Sequence, residues 1–214
     1  MHIAILTFQG FNELDSLVAL GVLNRIKKAN WRVTLCCPES TVTSMNDVTV
    51  HRQSSLADAA SADAVIIGSG IKTREIVKDP AIMSALHLDP SRQLIGAQCS
   101  GTLVLAKLGM LANVPACKDL ITKPWVQEAG VQVLNQPFYA SGNIATAGGC
   151  FASQYLAAWI IARFEGVEAA RAALHYVAPV GEKEEYVSRA IKNIEPYIGA
   201  PNKSLKADLV ASLP

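Results

Sequence analysis

Short runs of apolar, β-branched residues alternate along the chain with longer segments in which apolar residues recur every three or four positions. The short runs are typical of buried strands, and the longer segments are typical of helices with one buried face. The predicted strands span residues 2–7, 31–37, 64–67, 93–98, 120–122 and 143–146, with a small hairpin around Asn46-Asp47. The predicted helices span residues 13–29, 73–88 (with a break at Asp79-Pro80), 100–111, 149–164 and 167–176.

This alternation of strand and helix predicts an α/β fold. Each strand–helix–strand unit forms a right-handed crossover, so we expect a mostly parallel sheet covered by helices on both faces. No linker, repeat or low-complexity segment divides the chain, which predicts one domain over residues 1–195 and a C-terminal tail over residues 196–214. Functional groups in such sheets gather at the carboxyl ends of the strands, and we expect the site there.

The composition argues against several classes of function. With 214 residues, a formal net charge of +1 and no long block of like charges, the chain gives no reason to expect nucleic-acid binding. No stretch approaches ~18 uninterrupted apolar residues, so we expect no membrane span. The first residues lack the basic segment of a signal peptide and indicate a buried strand, which predicts a cytoplasmic protein.

The cysteines and histidines show neither a disulfide pattern nor a metal-binding pattern. The five cysteines are an odd number without a C-x-x-C pair, which argues against a disulfide framework or a structural zinc site. The four histidines are scattered without ligand spacing. We therefore expect no metal and no cofactor, and any chemistry has to come from a thiol in a special context.

Cys99 has such a context, because it lies where a predicted strand meets a predicted helix. The run LIGAQCSGTLVLA ends a buried strand at small residues and starts a helix at once. A side chain on such a turn is lifted clear of the sheet, as in the nucleophile elbow of hydrolases, although the G-x-S-x-G pattern is absent. The helix start offers free N–H groups that lower the pKa of a thiol. Gly101 has no Cβ, which permits a close approach of neighbouring atoms to the turn. The alternative is that Cys99 is a buried small hydrophobe, as free cysteines usually are.

A second loop ends the preceding predicted strand with the sequence Gly68-Ser69-Gly70. In a parallel sheet, the backbone amides of this loop lie beside Cys99. Two amides that converge on one point form an oxyanion hole, and we expect those of Gly70 and Ser100 to do so. Gly-Ser-Gly is also the sequence of many ordinary turns, so this loop alone is weak evidence for an oxyanion hole.

Three segments together resemble the ThiJ/PfpI superfamily, which is class I glutamine amidotransferase-like. They are the turn CSG that starts at Cys99, the segment FNELD that ends at Asp15, and the segment NIATAGG that ends at Gly149. The resemblance covers about residues 2–176. It implies a flavodoxin-like three-layer α/β sandwich with a nucleophile elbow, and a homodimer with residues 13–29 near the interface.

Within the superfamily, the Asp15 and Cys-Ser-Gly pattern is most similar to isonitrile hydratases and to the amidase-like domains of AraC-type regulators. This similarity implies that the Asp15 carboxyl faces the Cys99 sulfur, where it can hydrogen-bond or move a proton. Asp15, like Glu13, can instead stabilise the start of its helix. Residues implied to lie at the pocket are Thr102, Trp125, Gly149 and Cys150.

The chain also departs from the family pattern. Ser100 follows Cys99 where PfpI-type peptidases have histidine, which disfavours a Cys–His protease. Pro124, in the segment TKPW, stands where the regulators have the histidine of Thr-His-Trp. The segment after Pro179 is too short for paired helix-turn-helix units, so we expect no DNA-binding module.

The function that this pattern favours is a cysteine-dependent lyase similar to isonitrile hydratase. Cys99 attacks the carbon of a small substrate, Asp15 handles the proton, and water releases an N-substituted formamide. One alternative is a stress sensor in which Cys99 is oxidised, with Cys150 as a candidate resolving thiol. A protein that consumes 2-oxoaldehydes is the other alternative, weakened by the missing histidine.

Overall fold

The computed structural model describes residues 1–199. Its strands are β1 (His2–Leu6), β2 (Arg32–Cys37), β3 (Thr41–Thr43), β4 (Thr49–His51), β5 (Ser54–Ser55), β6 (Ala64–Ile67), β7 (Leu94–Gln98), β8 (Ala116–Cys117), β9 (Val133–Leu134), β10 (Phe138–Ser141) and β11 (Ile144–Ala147). Its α-helices are α1 (Glu13–Leu23), α2 (Thr73–Ile76), α3 (Pro80–Ala85), α4 (Thr102–Lys107), α5 (Lys123–Gln127), α6 (Ser153–Glu165), α7 (Val167–Val177) and α8 (Lys183–Ile194).

The central sheet has seven strands in the order β10-β11-β7-β6-β1-β2-β5. All neighbouring strands are parallel except β10, which pairs antiparallel with β11 at one edge. The β3–β4 hairpin lies where the Asn46-Asp47 turn predicts it. The carboxyl ends of β1, β6 and β7 therefore meet side by side, because these three strands are adjacent and parallel.

Helices cover both faces of the sheet, and each face has its own apolar core. Residues of α1, α6, α7 and α8 pack against one face, with Trp159 fully buried among them. Residues of α2, α3, α4 and α5 pack against the other face, where Leu103, Val104 and Leu105 of α4 are buried. The three-layer, flavodoxin-like α/β sandwich with a mostly parallel sheet is thus confirmed.

Several predicted boundaries are wrong for identifiable reasons. Helix α1 ends at Leu23 rather than at residue 29, because the side chain of Asn24 donates to the Leu20 carbonyl and the Trp31 indole donates to the Leu23 carbonyl. Helix α4 ends at Lys107 rather than at residue 111, and Gly109 adopts the left-handed conformation that commonly follows a helix end.

The predicted strand at 120–122 is also wrong. This segment is a loop in which Leu120 and Ile121 are 74% and 89% exposed. The Asp119 carboxylate accepts hydrogen bonds from the backbone and the hydroxyl of Thr122, which bends the chain as aspartate side chains often do. Two adjacent apolar residues were not sufficient to indicate a strand.

The end of the described chain packs on the edge of the sheet. The Trp159 indole donates to the Tyr197 carbonyl, and the Tyr197 ring contacts the ring of Phe138. Contacts with the fold therefore extend past residue 195, where the predicted domain ends, into the predicted tail, and residues 200–214 of that tail lie outside the described residues. Within the described part of the chain, no helix is long and apolar enough to cross a membrane.

Candidate active site

Cys99 occupies a sharp turn between β7 and α4. Its φ angle is 45°, a left-handed conformation that costs a non-glycine residue about 1–2 kcal/mol. A single 3₁₀ turn over Cys99–Gly101 leads directly into the helix. Gly101 is required because an added Cβ would lie 2.6 Å from the Ile67 carbonyl oxygen and 2.7 Å from that of Gly68. The nucleophile elbow predicted from the sequence is present.

The Cys99 sulfur is enclosed rather than open to solvent, since the residue is only 4% exposed. The Gln98 amide, at 3.5 Å from Sγ, donates to the sulfur and also donates to the Gly149 carbonyl at 2.8 Å. Burial, followed by the negative charge of Asp15, raises the pKa of Cys99 far above its usual range, and the Gly149 N–H opposes this only in part. The expected lowering of the pKa by the helix start is therefore outweighed, and the resting group is a thiol.

Asp15 lies in the first turn of α1 and is fully buried. Asn12 caps this helix, with its side-chain oxygen accepting from the Leu14 N–H at 3.1 Å, and so sets where the turn begins. The Ser69 hydroxyl donates to Oδ2 of Asp15, while Oδ1 has no hydrogen-bond partner that meets ordinary distance limits among residues 1–199. One carboxyl oxygen thus remains free to exchange a proton.

The environment of Asp15 places its pKa close to neutrality. Burial raises this pKa from 3.8 to about 6, while the hydrogen bond from Ser69 and the nearby thiols of Cys150 and Cys99 lower it to a smaller extent. Asp15 therefore lies within reach of both thiols. A carboxyl with a pKa near 6 can accept and return protons at physiological pH, which is the property required of a general acid–base group.

Of the two amides predicted to form an oxyanion hole, that of Gly70 already donates a hydrogen bond within the protein. The Gly70 N–H donates to the Ser100 hydroxyl at 3.1 Å, and that hydroxyl also lies 2.7 Å from the Thr73 hydroxyl. An added Cβ on Gly70 would lie 2.4 Å from the Gly10 carbonyl, so this loop packs directly on the loop after β1. The Gly70 amide is thus engaged by the Ser100 hydroxyl in this structure, and the oxyanion hole formed by the Gly70 and Ser100 N–H groups stays a prediction.

The implied pocket residues do not all lie in one cavity. An open cleft of about 540 Å³ is lined by Gly149, Pro137 and the 118–121 loop. Trp125 instead lines a separate cavity of about 370 Å³, beside Arg74 and Leu103.

The other two implied residues have different surroundings. The Thr102 side chain is buried and donates to the Cys117 carbonyl at 3.4 Å, so it supports the neighbouring chain. Cys150 lies close to Asp15, and its sulfur accepts a hydrogen bond of 3.2 Å from Asn12.

Four residues near Cys99 were not identified from the sequence: Gln98, Ser69, Lys118 and Asp119. Gln98 and Ser69 lie within the two segments that the sequence analysis singled out, LIGAQCSGTLVLA and Gly68-Ser69-Gly70, so their position in those segments was an available signal. Lys118 gave no such signal, yet its side chain has no exposed surface. Over residues 1–199, no group of three or more His, Cys, Asp or Glu side chains is arranged to hold a metal ion.

Several solved structures share this fold. The Drosophila melanogaster DJ-1beta structure matches with a TM-score of 0.72 and 22% identity, covering 82% of this chain and 96% of that one. The VC2308 protein matches with a TM-score of 0.72 and 18% identity over 87% of this chain and 97% of its own. An AraC family transcriptional regulator from Pseudomonas putida matches with a TM-score of 0.69 and 14% identity over 83% of this chain and 99% of that one.

Sequence comparison gives the family. No curated protein matches the chain. The model of the DJ-1/PfpI family, by contrast, matches residues 1–163, which include the elbow, Asp15 and the segment ending at Gly149. The chain therefore belongs to the DJ-1/PfpI family.

Proposed function

We propose that this protein is a cysteine-dependent lyase that adds water to a small isonitrile and releases an N-substituted formamide. The observation that carries the proposal is the buried Asp15 carboxyl beside the Cys99 thiol, with one free oxygen and a pKa near 6. A buried thiol needs a nearby base in order to become a nucleophile, and Asp15 supplies one.

The first step joins the substrate to the enzyme. The Asp15 carboxylate takes the thiol proton as the Cys99 sulfur attacks the terminal isonitrile carbon, and it returns that proton to the same carbon. The product is a thioimidate, S–CH=N–R. The Ser100 N–H and the Gln98 amide stabilise the negative charge that develops near the sulfur.

The second step releases the product. Water adds to the thioimidate carbon, and Asp15 takes a proton from the water and passes one to the nitrogen. The sulfur–carbon bond then breaks, with the electron pair remaining on sulfur, and the hydroxyl proton returns to Cys99. The sum is one water and one isonitrile converted to one formamide, with the thiol and the carboxylate regenerated.

The cleft beside Gly149 supports a neutral, apolar substrate. Its lining includes the exposed side chains of Leu120 and Ile121, together with Leu134 and Pro137, beside the polar residues Asn135 and Gln136 and the charged residues Lys118 and Asp119. A cleft volume of about 540 Å³ lies within the range of small-molecule sites. An isonitrile with an apolar substituent can pack against the apolar part of this lining.

The test is turnover of benzyl isonitrile by the purified chain, followed by chromatography of the formamide. The Cys99→Ala variant is expected to lose turnover completely, because no other group forms the sulfur–carbon bond. The matched control is Cys37→Ala, which removes another buried thiol at a strand end and is expected to keep full turnover. Unchanged turnover in Cys99→Ala would rule out the proposal.

An oxidation sensor is the second candidate, favoured by the fact that Cys99 and Cys150 both lie close to Asp15. Here hydrogen peroxide oxidises Cys99, and the surrounding donors stabilise the product. Intact mass after mild peroxide treatment is expected to show added oxygen on Cys99 under this alternative. A lack of selectivity for Cys99, together with measured isonitrile turnover, would leave only the lyase.

A further inference from the structure

Two adjacent apolar side chains, Leu120 and Ile121, lie exposed at the cleft beside Gly149 and are called the apolar pair below. A single exposed apolar residue is ordinary on a protein surface. Two neighbouring ones that line a cavity indicate a surface that something else covers. Neither side chain takes part in the two chemical steps proposed above, so their role has to be sought in what the cleft holds.

The fold fixes where the apolar pair lies. After the pair, the Asp119 carboxylate accepts a hydrogen bond of 2.8 Å from the Thr122 N–H, which closes a turn around the two residues. Before the pair, the backbone packs on the floor of the cleft, because an added Cβ on Gly148 would lie 2.5 Å from the Lys118 carbonyl oxygen. The two side chains are thus held at the cleft from both ends of their loop.

The charged residues of the same lining are paired with each other. Nζ of Lys118 lies 3.5 Å from an Asp119 oxygen, and the lysine side chain has no exposed surface. Both charged groups also hydrogen-bond the Thr122 hydroxyl. The other polar lining residues, Asn135 and Gln136, are neutral. A charged ligand would therefore meet no unpaired counter-charge on these side chains, whereas an apolar group can cover the apolar pair.

The cleft and the Cys99 sulfur share one hydrogen-bond donor. The side-chain nitrogen of Gln98 lies 2.8 Å from the Gly149 carbonyl oxygen and 3.5 Å from Sγ of Cys99. Gly149 is itself part of the cleft lining. A molecule whose reactive carbon meets the sulfur can therefore place its substituent in this cleft.

We propose that Leu120 and Ile121 are specificity-determining residues, which select substrates with a bulky apolar substituent by covering that substituent while the reactive carbon meets Cys99. The inference rests on the proposed function in taking Cys99 as the nucleophile, and it narrows the substrate class to isonitriles with a branched or cyclic hydrocarbon group. Contact between the apolar pair and such a group removes apolar surface from water on both sides, which favours the larger substituent.

The test compares two maleimides that differ only in their substituent, N-methylmaleimide and N-cyclohexylmaleimide. Each adds the thiol across its carbon–carbon double bond, with sulfur bound to one carbon and the proton moved to the other. The two rates at Cys99 are followed by mass spectrometry of the peptide that contains it. The cyclohexyl-to-methyl ratio of these rates is then divided by the same ratio for glutathione, which removes the intrinsic reactivity of the reagents.

We expect a corrected ratio of about 10 for the wild type, since even one methylene in an apolar pocket is worth about tenfold or more. In the double variant Leu120→Ser/Ile121→Ser, the ratio is expected to fall to about 2 or less, because the apolar surface is gone. Both side chains are exposed, so the substitutions leave the apolar cores intact. A wild-type ratio near one, or an unchanged ratio in the serine variant, would overturn the proposal.

Two further variants show whether the effect belongs to apolar surface at this place. Leu120→Met/Ile121→Leu keeps that surface and should keep the wild-type ratio. The matched control is Val180→Ser, which removes a side chain that is 93% exposed but does not line the cleft, and it should also keep the ratio. A serine double variant that elutes as a smaller species in size-exclusion chromatography, with an unchanged ratio, would mean that a second copy of the chain covers the apolar pair instead.

The maleimide ratio does not depend on isonitrile turnover, so the two proposals fail separately. A chain whose ratio depends on the apolar pair but that hydrates no isonitrile would contradict the proposed function and support the role of the pair. A chain that hydrates methyl and cyclohexyl isonitrile with equal kcat/KM, and whose maleimide ratio is the same without the pair, would do the reverse.

Discussion

Two strands of the central sheet end at a buried thiol, and only one of them has the features of an active site. Cys37 ends β2 and is completely buried, while Cys99 follows β7 and is 4% exposed. Burial raises the pKa of both thiols, to about 11 for Cys37 and beyond the usual range for Cys99. Burial therefore does not distinguish a reactive thiol from an inert one.

The difference lies in the polar groups around each sulfur. For Cys37, the charged influences besides burial are the neighbouring thiol of Cys36 and the side chain of Arg52. Cys99 has the Asp15 carboxyl, the Gln98 amide and a backbone held in the left-handed conformation. An enclosed thiol stays protonated until a base removes its proton, so the nearby acid–base group makes the difference.

The largest expected effect comes from removing that acid–base group. We expect Asp15→Asn to lower isonitrile turnover by about 10²–10⁴-fold, because the amide cannot accept the thiol proton. The loss should appear in kcat, measured by formamide release at saturating substrate. Glu13→Gln, in the same helix turn but outside the site, is the control and should keep turnover. Similar losses of turnover in both variants would mean that turnover depends on the structure of the first turn of α1 rather than on the Asp15 carboxyl.

The same variant should be more stable than the wild type at neutral pH. Because the folded-state pKa of Asp15 is raised from 3.8 to about 6, the folded protein keeps the proton longer than the unfolded chain, and stability falls as pH rises through that window. The shift of about 2 units corresponds to at most about 3 kcal/mol above pH 6. The Tm of Asp15→Asn is therefore expected to be higher than that of the wild type at pH 7, and nearly equal at pH 4.

The next effect concerns the close packing that the elbow requires. We expect Gly101→Ala to lower the free energy of unfolding by about 3 kcal/mol, or to prevent folding, because its Cβ would overlap backbone carbonyls. Gly21→Ala is the matched control, since nothing lies within 4 Å of its added Cβ and it sits inside α1. The free energy of unfolding of that control, measured by chemical denaturation, should rise by up to about 1 kcal/mol. Equal stability of the two variants would contradict the close approach.

Much of this architecture was predictable because it depends on local sequence. The alternating apolar runs predicted the α/β sandwich, and the residues Cys-Ser-Gly predicted the elbow, since each local pattern has a direct backbone consequence. Strand β10 and helix α8 were missed, and the antiparallel edge position of β10 is decided by pairing with β11 rather than by its own sequence. The pairing of Asp15 with Cys99 was reached through family resemblance, because no local pattern joins residues 84 positions apart.

The electrostatics of the site were predicted least well. The sequence indicated a helix start that lowers the pKa of Cys99, but it did not show how deeply the sulfur is enclosed. Lys118 could not be found for the same reason, since a lysine beside an aspartate normally indicates exposed side chains. Burial is a property of the folded chain, and it reversed the expected direction of the pKa shift.

The smallest effect tests the amide that links Cys99 to the opposite loop. Gln98 donates to the Cys99 sulfur and to the Gly149 carbonyl, so Gln98→Leu removes both hydrogen bonds from the enclosed site. A hydrogen bond contributes about 0.5–1.5 kcal/mol, which corresponds to a loss of about 2–10-fold in isonitrile turnover.

The control is Gln93→Leu, just before the other end of β7, where the buried amide donates to the carbonyls of Ala59 and Ala62. Both variants should lose stability, but only Gln98→Leu should lose turnover at a temperature where the protein stays folded. Equal turnover in the two variants would mean that the Gln98 amide supports the strand and not the sulfur. The Gln98 amide would then no longer distinguish the surroundings of Cys99 from those of Cys37.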